Sequence, residues 1–554
     1  MRHALTLATL LSIAGSACAS GQTTLFQPIA LTNQPAPGGG VFAFFDAPRH
    51  DAGTMAFVAV VTGVPANSQL RLFANSSGTN QLLARCGDPA PDIAGATLAT
   101  LELQDLNAAG NLHVAATIEG PLVGQGTQRV QYLGSTSSGL SLAARLGQQI
   151  PGLAPGVRLS WFTNQSSLNA RGHTAIHTTI AGPGIVPNVN DTALLLLQPG
   201  VSPRLVAQGN DPIPGMPNAS IQGPGWELAL GDDDVVGFIG GLALNGSLIA
   251  SSTVLLAGTD RDRLSPIAIN GQLEPALDNA SLEIFENLRP AAQGGFNFDA
   301  YAVGGICGDD FAQTSCSTSS GQLRVKLFPS QPPIEIPETT TQFTFRRRGV
   351  AADAGISGFD GPGVNELNNT YLWVSSPGRT EVLAREGREL PGFPGSFCAN
   401  LPTGAIFDLD DTGWIFAQIG FFDASGTPRN AFYVWSPAEG LRLIASTRQQ
   451  FEVEPGITRT IAALSISDRF PDAEGRLAVR LDFTDSTGGI FMTLPAGDFV
   501  CDSDYNVDGG VDGSDVEAFF GDFEDGIIRA DLNGDGGVDG GDVEAFFIHF
   551  EAGC

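Results

Sequence analysis

Lysine is almost missing from this chain of 554 residues. There is one, Lys326, and the other 27 basic residues are arginines, set against 58 acids for a net charge of −30. A chain so short of positive charge offers no basic surface to displace counterions from a phosphate backbone, which argues against a nucleic-acid partner. Signatures of catalysis are also scarce. The G-x-S-x-G elbow does not occur, and glycine-rich pieces such as 223–225 lack the Lys-Ser/Thr of a phosphate loop. Beyond the first twenty residues, no apolar run is long enough to span a bilayer. Glycine (70) and proline (35) are plentiful instead, and hydrophobic residues make up 42 %. Apolar residues spread evenly between turn formers suit many short strands rather than disorder.

The charge is uneven. Residues 501–554 carry 15 acids against Arg529 alone, so the last tenth of the chain supplies nearly half of the net charge. Acid concentrated this way points to cations. The start, MRHALTLATLLSIAGSACAS, has a basic tip, an apolar run and a small-residue Ala-Cys-Ala site. It reads as a secretory signal peptide over 1–19, which places the protein outside the cell, secreted or at the cell surface. A lipid anchor on Cys18 is the alternative, although Gly15 stands where a leucine-like residue is normally wanted. Six cysteines then remain, and an even count in an exported chain favours disulfides. Cys307 with Cys316 would close a short loop, and Cys501 with Cys554 would clamp the last domain. Cys86 and Cys398 are left over, paired by subtraction or free.

Residues 20–497 repeat. The stretch YLWVSSPGRTEVLAREGRELPG (371–392) pairs two apolar runs across a Ser-Pro-Gly turn, and its second run recurs along the chain. The central alanine falls at Ala30, Ala84, Ala144, Ala207, Ala268, Ala384 and Ala445, at a mean spacing of about 59 residues with one copy hidden near Lys326. A second marker is Asn or Asp, two residues, Gly, two residues and an apolar pair. It occurs at Asn107–Gly110, Asn169–Gly172, Asp410–Gly413 and Asp472–Gly475, with degenerate copies at Gly53, Gly246 and Gly349 and an eighth around Ala300. Asn or Asp can bond its own backbone two residues on, and Gly accepts positive φ, so the marker is a hairpin turn.

Four strand candidates per 60 residues predict an all-β fold, a β-propeller of four-stranded blades. Eight markers give eight blades, with seven as the alternative. The chain opens on a lone outer strand (24–31) and closes on a strand lacking its outer partner (489–494). The two should complete one blade, since an unpaired edge invites aggregation. An open array of sheets is the competing arrangement.

These markers resemble the secreted bacterial proteins called choice-of-anchor tandem repeat NxxGxxAF-containing proteins. The resemblance covers about 470 residues and is fullest at Gly172 with Ala175-Ile176 and at Gly53 with Ala56-Phe57. It implies export and attachment, and no activity.

Residues 498–554 form a separate unit. DYNVDGGVDGSD (504–515) and DLNGDGGVDGGD (531–542) both fit a calcium loop, with oxygens at positions 1, 3, 5, 7, 9 and 12. The first ion would take Asp504, Asn506, Asp508, the Gly510 carbonyl, Asp512 and Asp515. The second would take Asp531, Asn533, Asp535, the Gly537 carbonyl, Asp539 and Asp542. Each loop runs into a helix whose apolar face, Val516/Phe519/Phe520/Phe523 or Val543/Phe546/Phe547/Phe550, should meet the other. A duplicated loop–helix with Asp at position 12 resembles a type I dockerin, and the closing Gly553-Cys554 resembles GC-type dockerin anchors. The resemblance implies two calcium ions and a cohesin-like or cell-envelope partner. At positions 10 and 11, where cellulosomal dockerins carry cohesin-contacting hydroxyls, this chain has Gly513-Ser514 and Gly540-Gly541.

Inside the repeats, His173 and His177 read as a surface pair on one side of a strand, against a shared metal. The run Asp232-Asp233-Asp234 reads as a solvated turn, against a cation site. Tryptophans 161, 226, 373, 414 and 435 read as core, against sugar platforms. The expectation is a secreted, non-catalytic propeller that binds a glycan or protein ligand, attached through its calcium module. The competing reading is a glycoside hydrolase or lyase on the same scaffold.

Overall fold

In a computed structural model of the protein, residues 26–493 are described apart from short segments, the longest being 305–311, 318–323, 328–339, 361–369, 399–406, 410–414 and 467–475. Toward the C-terminus, residues 505, 513–524, 530, 532 and 538–552 are described. Within these, the chain folds into eight antiparallel sheets and two helices. Residues Asn33–Pro332 form one compact unit, and Met1–Thr32 with Pro333–Cys554 form a second.

The first unit holds five sheets, each an up-and-down meander in chain order. The second sheet is typical: Thr97–Leu106, Asn111–Glu119, Arg129–Ser135 and Gly139–Arg145. The third uses Arg158–Leu168, Thr174–Ala181, Thr192–Gln198 and Val201–Gln208. Second and third strands are nearly continuous apolar runs, as in TALLLLQ, because both of their faces are covered by neighbouring sheets. The fifth sheet has five strands and ends on Arg324–Leu327, so the copy sought near Lys326 is present as its last strand.

The recurring alanine has a structural cause. In all seven copies the register slips by one residue immediately before it, as between Leu142 and Ala144 or between Val382 and Ala384. The extra residue is a β-bulge, which bends the outer strand and increases its twist. Every one of the seven alanines is buried, because the bulge turns that position inward where only a small side chain fits.

The second unit holds three more sheets, the last being Ile457–Ile466, Ala478–Phe483 and Gly488–Thr493, with Gln450–Glu454 beside the first of these. Its outer strand is Phe26–Leu31 from the other end of the chain, antiparallel to Gly488–Thr493 with Phe26 opposite Thr493 and Leu31 opposite Gly489. The strand exchange expected from the two lone ends is therefore made. Thr32 fastens it, its amide and hydroxyl both donating to the Gly488 carbonyl at 2.9 Å. Phe26 packs on Phe451 and Phe491 in the core of that sheet.

Two marker assignments are corrected. Gly246 does not fill the expected turn. It lies with Asn245 in the two-residue loop between the second and third strands of the fourth sheet (Val236–Leu244 and Ser247–Gly258), both residues at positive φ as an Asn-Gly hairpin requires. The expected turn is instead made by residues 231–234, with Asp234 at φ +67° in the glycine position. Ala300 is buried inside the strand Phe296–Val303, and Gly295 at φ +81° precedes that strand. The copies at Gly349, Gly413 and Gly475 lie outside the described residues, as do the leader (1–19), Cys307, Cys501 and Cys554. Cys86 and Cys398 are free and buried.

The helices α1 (Gly513–Glu524) and α2 (Gly540–Ala552) pack through the faces foreseen. Phe519 stacks on Phe546 with centroids 4.3 Å apart and planes 5° apart, and Tyr505 closes the cluster edge-on. Among the described residues, no helix is long and apolar enough to cross a membrane.

Candidate functional site

Among the described residues, three places carry the polar chemistry that bears on function. The first is the C-terminal pair of loops. Of the twelve ligands expected from sequence, Asp515, Asp539 and Asp542 are described; Asp504, Asn506, Asp508, Gly510, Asp512, Asp531, Asn533, Asp535 and Gly537 lie outside the described residues. Asp515 and Asp542 occupy the first turn of α1 and α2 and are both fully buried. Asp542 accepts from the Asp539 amide at 2.8 Å, and Asp539 accepts from the Gly541 amide at 2.8 Å. Carboxylates withdrawn from water at equivalent positions of two duplicated loops fit a hard cation, which favours oxygen donors and repays their desolvation.

The second place is the line of Asn-x-x-Gly turns. Asn107 Oδ1 accepts from the Asn111 amide at 3.0 Å, which caps its own turn. Its Nδ2 donates 2.6 Å to the Asn169 carbonyl in the next sheet. Asn169 repeats both acts: Oδ1 accepts from Arg171 and His173 amides, and Nδ2 donates to the Gly231 carbonyl at 3.0 Å. A parallel ladder runs through the first strands. The buried Asp105 accepts from Leu168 of the next sheet, and Ser167 accepts from Leu230. Where Ala229 leaves no acceptor, Glu227 accepts from Leu288 instead. The HTAIH histidines belong here. They face one side as expected, yet that side is the fourth sheet rather than solvent: His173 Nδ1 lies 2.7 Å from Asp234 Oδ1, and His177 lies under Gly225, where any Cβ would meet its ring and Leu194. Asp232 accepts from the Ala170 amide at 2.9 Å, so the acidic turn is a tie between sheets.

The third place was missed at the sequence level. A cleft between the second and third sheets has room for one or two water-sized groups, about 30 Å³, and is lined by Thr100, Glu102, His113, Thr117, Arg129 and Gln131 among others. His113 is 2 % exposed; its Nε2 meets Gln131 Oε1 at 2.8 Å and its Nδ1 has no partner. Burial pushes the imidazole pKa down to about 4, so the ring is neutral near pH 7. Glu102 is exposed. The Thr100 and Thr117 hydroxyls bond at 2.7 Å. At the rim, Arg129 lies 4.4 Å over the ring of Trp161, which is 53 % exposed. This corrects the core assignment for Trp161, whereas Trp373 and Trp435 are core. Trp161 precedes an irregular bulge in which residues 163–165 face the single residue His177, and bulges re-aim side chains out of the sheet. The signal was present in the repeat: His113 stands where the marker has alanine, at Ala56 and Ala175.

Together these features define a β-sheet repeat scaffold with inter-sheet polar ladders and an acidic helical appendix. The chain belongs to a family of unknown function (DUF7453), the match covering residues 14–326 and 338–495. The helical appendix lies beyond that match. No curated protein matches the chain. Among solved structures, prolyl oligopeptidase B from Galerina marginata is similar at 11 % identity and TM-score 0.38, over 79 % of this chain and 56 % of that one. The chain thus spans little more than half of that protein. An oligogalacturonate lyase in complex with manganese is similar at 12 % identity and TM-score 0.35, over 74 % and 97 %. The β-propeller domain of the Trilobed protease from Pyrococcus furiosus, of open velcro topology, is similar at 7 % identity and TM-score 0.26, over 60 % and 95 %.

Proposed function

We propose that the protein is an exported propeller-type binding and display scaffold, held at the cell surface or in a secreted assembly by a dockerin-like calcium module. The observation that carries the attachment is the pair of fully buried carboxylates, Asp515 and Asp542, each opening one of two helices that pack face to face. Six oxygens per loop, named above, would hold each ion, and calcium when bound would neutralise the four carboxylates gathered in a loop. Relief of that repulsion makes binding free energy into folding free energy, so the helix pair orders with the metal. Ring closure is supported by the Phe26–Leu31 strand completing the last sheet, and eight blades by the eight sheets.

Calorimetric titration of the full, chelator-treated chain with calcium tests the reading. Two ions per chain are expected, falling to one in Asp515→Asn and in Asp542→Asn, with a gain in helical circular dichroism. Absence of calcium heat, or no change in helical signal on adding EDTA, would refute it.

A further inference from the structure

We propose that the cleft between the second and third sheets is a binding site for a neutral saccharide, with Trp161 as its stacking surface and the His113–Gln131 pair as the polar floor. This deepens the binding reading above and rests on it for the presence of a ligand, but it uses different residues from the calcium module.

The floor is out of place as packing. Registered on the left-handed turn residues Gly53, Gly110, Gly172 and Asp234, the position of His113 is filled by Ala56, Ala175 and Gly237 in the first, third and fourth sheets. On the facing strand, Gln131 stands where those sheets have Leu72, Leu194 and Leu255. The fold therefore needs an apolar pair here and is given a polar one. Burying an imidazole and an amide costs stability unless each polar atom is bonded, and His113 Nδ1 is left without a partner. His113 lines the cavity, and its unmet Nδ1 is a buried polar atom for which a water or a ligand group would supply the missing bond.

The chemistry of the remaining walls selects the ligand. One carboxylate, Glu102, and one guanidinium, Arg129, balance in charge, and burial keeps His113 uncharged, so neither an anion nor a cation is favoured. Hydroxyl and amide groups of Thr100, Thr117 and Gln131 offer both donors and acceptors, which suits a polyol. The cavity admits a small group, the size of a hydroxyl or hydroxymethyl, and not a ring. The ring would lie outside, against the exposed part of Trp161, whose indole is fixed by Arg129 on one face. Aromatic platforms that present an apolar face beside hydrogen-bonding groups match the two-sided character of a pyranose.

The test uses the full chain in calcium and again in EDTA, with neutral hexasaccharides of β-1,4-linked glucose, xylose and mannose as probes and hexagalacturonate as the charged control. Binding is followed by calorimetry and tryptophan fluorescence. At least one neutral hexamer should bind, equally with and without calcium, and affinity should fall by about tenfold or more in Trp161→Ala and in Gln131→Leu. Trp161→Ala is a surface change, whereas Gln131→Leu leaves His113 Nε2 without its bond; the double variant His113→Ala/Gln131→Leu, which restores the apolar pair of the neighbouring sheets, is therefore measured beside it, with melting curves to show that each variant folds and the same loss of affinity expected. The proposal is overturned if no neutral hexamer binds at millimolar concentration, if only the charged control binds, or if Trp161→Ala binds as well as the parent. Loss of calcium heat with sugar binding intact would sink the attachment reading and leave this one standing.

Discussion

Replacing Asn169 by Asp separates two accounts of the Asn-x-x-Gly marker. If the residue only shapes its own turn, Asp should serve as well, because the Oδ1 that accepts from Arg171 and His173 amides is retained. The structure gives Asn169 a second task, donation from Nδ2 to the Gly231 carbonyl at 3.0 Å and to Asp234 Oδ1 at 3.1 Å, from a side chain that is 3 % exposed. Asp turns those two attractions into contacts between oxygens and adds a second buried negative charge beside Asp234, whose neighbouring cation, Arg171, lies 3.6 Å from its other oxygen. A buried charge left wholly uncompensated costs about 3–5 kcal/mol, and with Arg171 nearby we expect a loss at the lower end of that range. Asn169→Ala loses the turn cap and the tie but buries no charge, so about 2–3 kcal/mol is expected. The new carboxyl would have its pKa raised by desolvation and by Asp234, so its penalty is full above that pKa and fades as pH falls through it. Urea midpoints of parent, Asn169→Ala and Asn169→Asp, read near pH 7 and near pH 4, give the answer. An Asp variant as stable as the parent at neutral pH, or one whose deficit does not shrink in acid, would refute the inter-sheet ladder.

Further outcomes follow from the same structure. His113 has a folded-state pKa of about 4 against an ordinary 6.5, so the native chain binds fewer protons than the unfolded one between those values. Stability should be unaffected above that window and fall through it by about 3 kcal/mol as pH drops; His113→Ala should flatten the profile, and a variant with the parent's slope would contradict the assignment. Burial and nearby carboxylates push the Cys86 thiol up to about 11 and Cys398 up to about 12. Peptide mapping after iodoacetamide at about pH 8 should find both unmodified in native protein and modified in urea; rapid native alkylation would show that they are not buried thiols. Deleting residues 20–31 strips the outer strand from Gly488–Thr493 and removes Phe26 from its aromatic cluster. The truncated chain should aggregate through the exposed edge and be rescued by a peptide of residues 24–32; a monodisperse truncation with an unchanged melting curve would undo the strand-exchange account.

Much of this was legible in order along the chain. The 60-residue beat gave the strand count of each sheet because turn chemistry is local: Gly at positive φ and a self-bonding Asn declare themselves without reference to the rest of the fold. The two helices were legible for a similar reason, as the 3.6-residue period of Phe519, Phe520 and Phe523 defines a face before a partner is known. Where a copy had decayed, local reading slipped. Gly246 has the conformation of a marker glycine but belongs to the next hairpin, and only strand pairing tells the two turns apart.

Sequence alone, then, determined the repeat, its lone terminal strands and the duplicated acidic spacing ahead of the two helices, all of which depend on residues close in the chain. Tertiary structure decided what the side chains at those positions meet. That Asn107 reaches a carbonyl 62 residues on, that Ala30 and its counterparts follow a bulge, and that His113 and Gln131 form a polar pair in an apolar position all depend on one sheet packing against another. Trp161 shows the physical reason most directly: an indole in a strand reads as core because burial of its area is favourable, and only the bulge beside it and the neighbouring Arg129 hold it out in water.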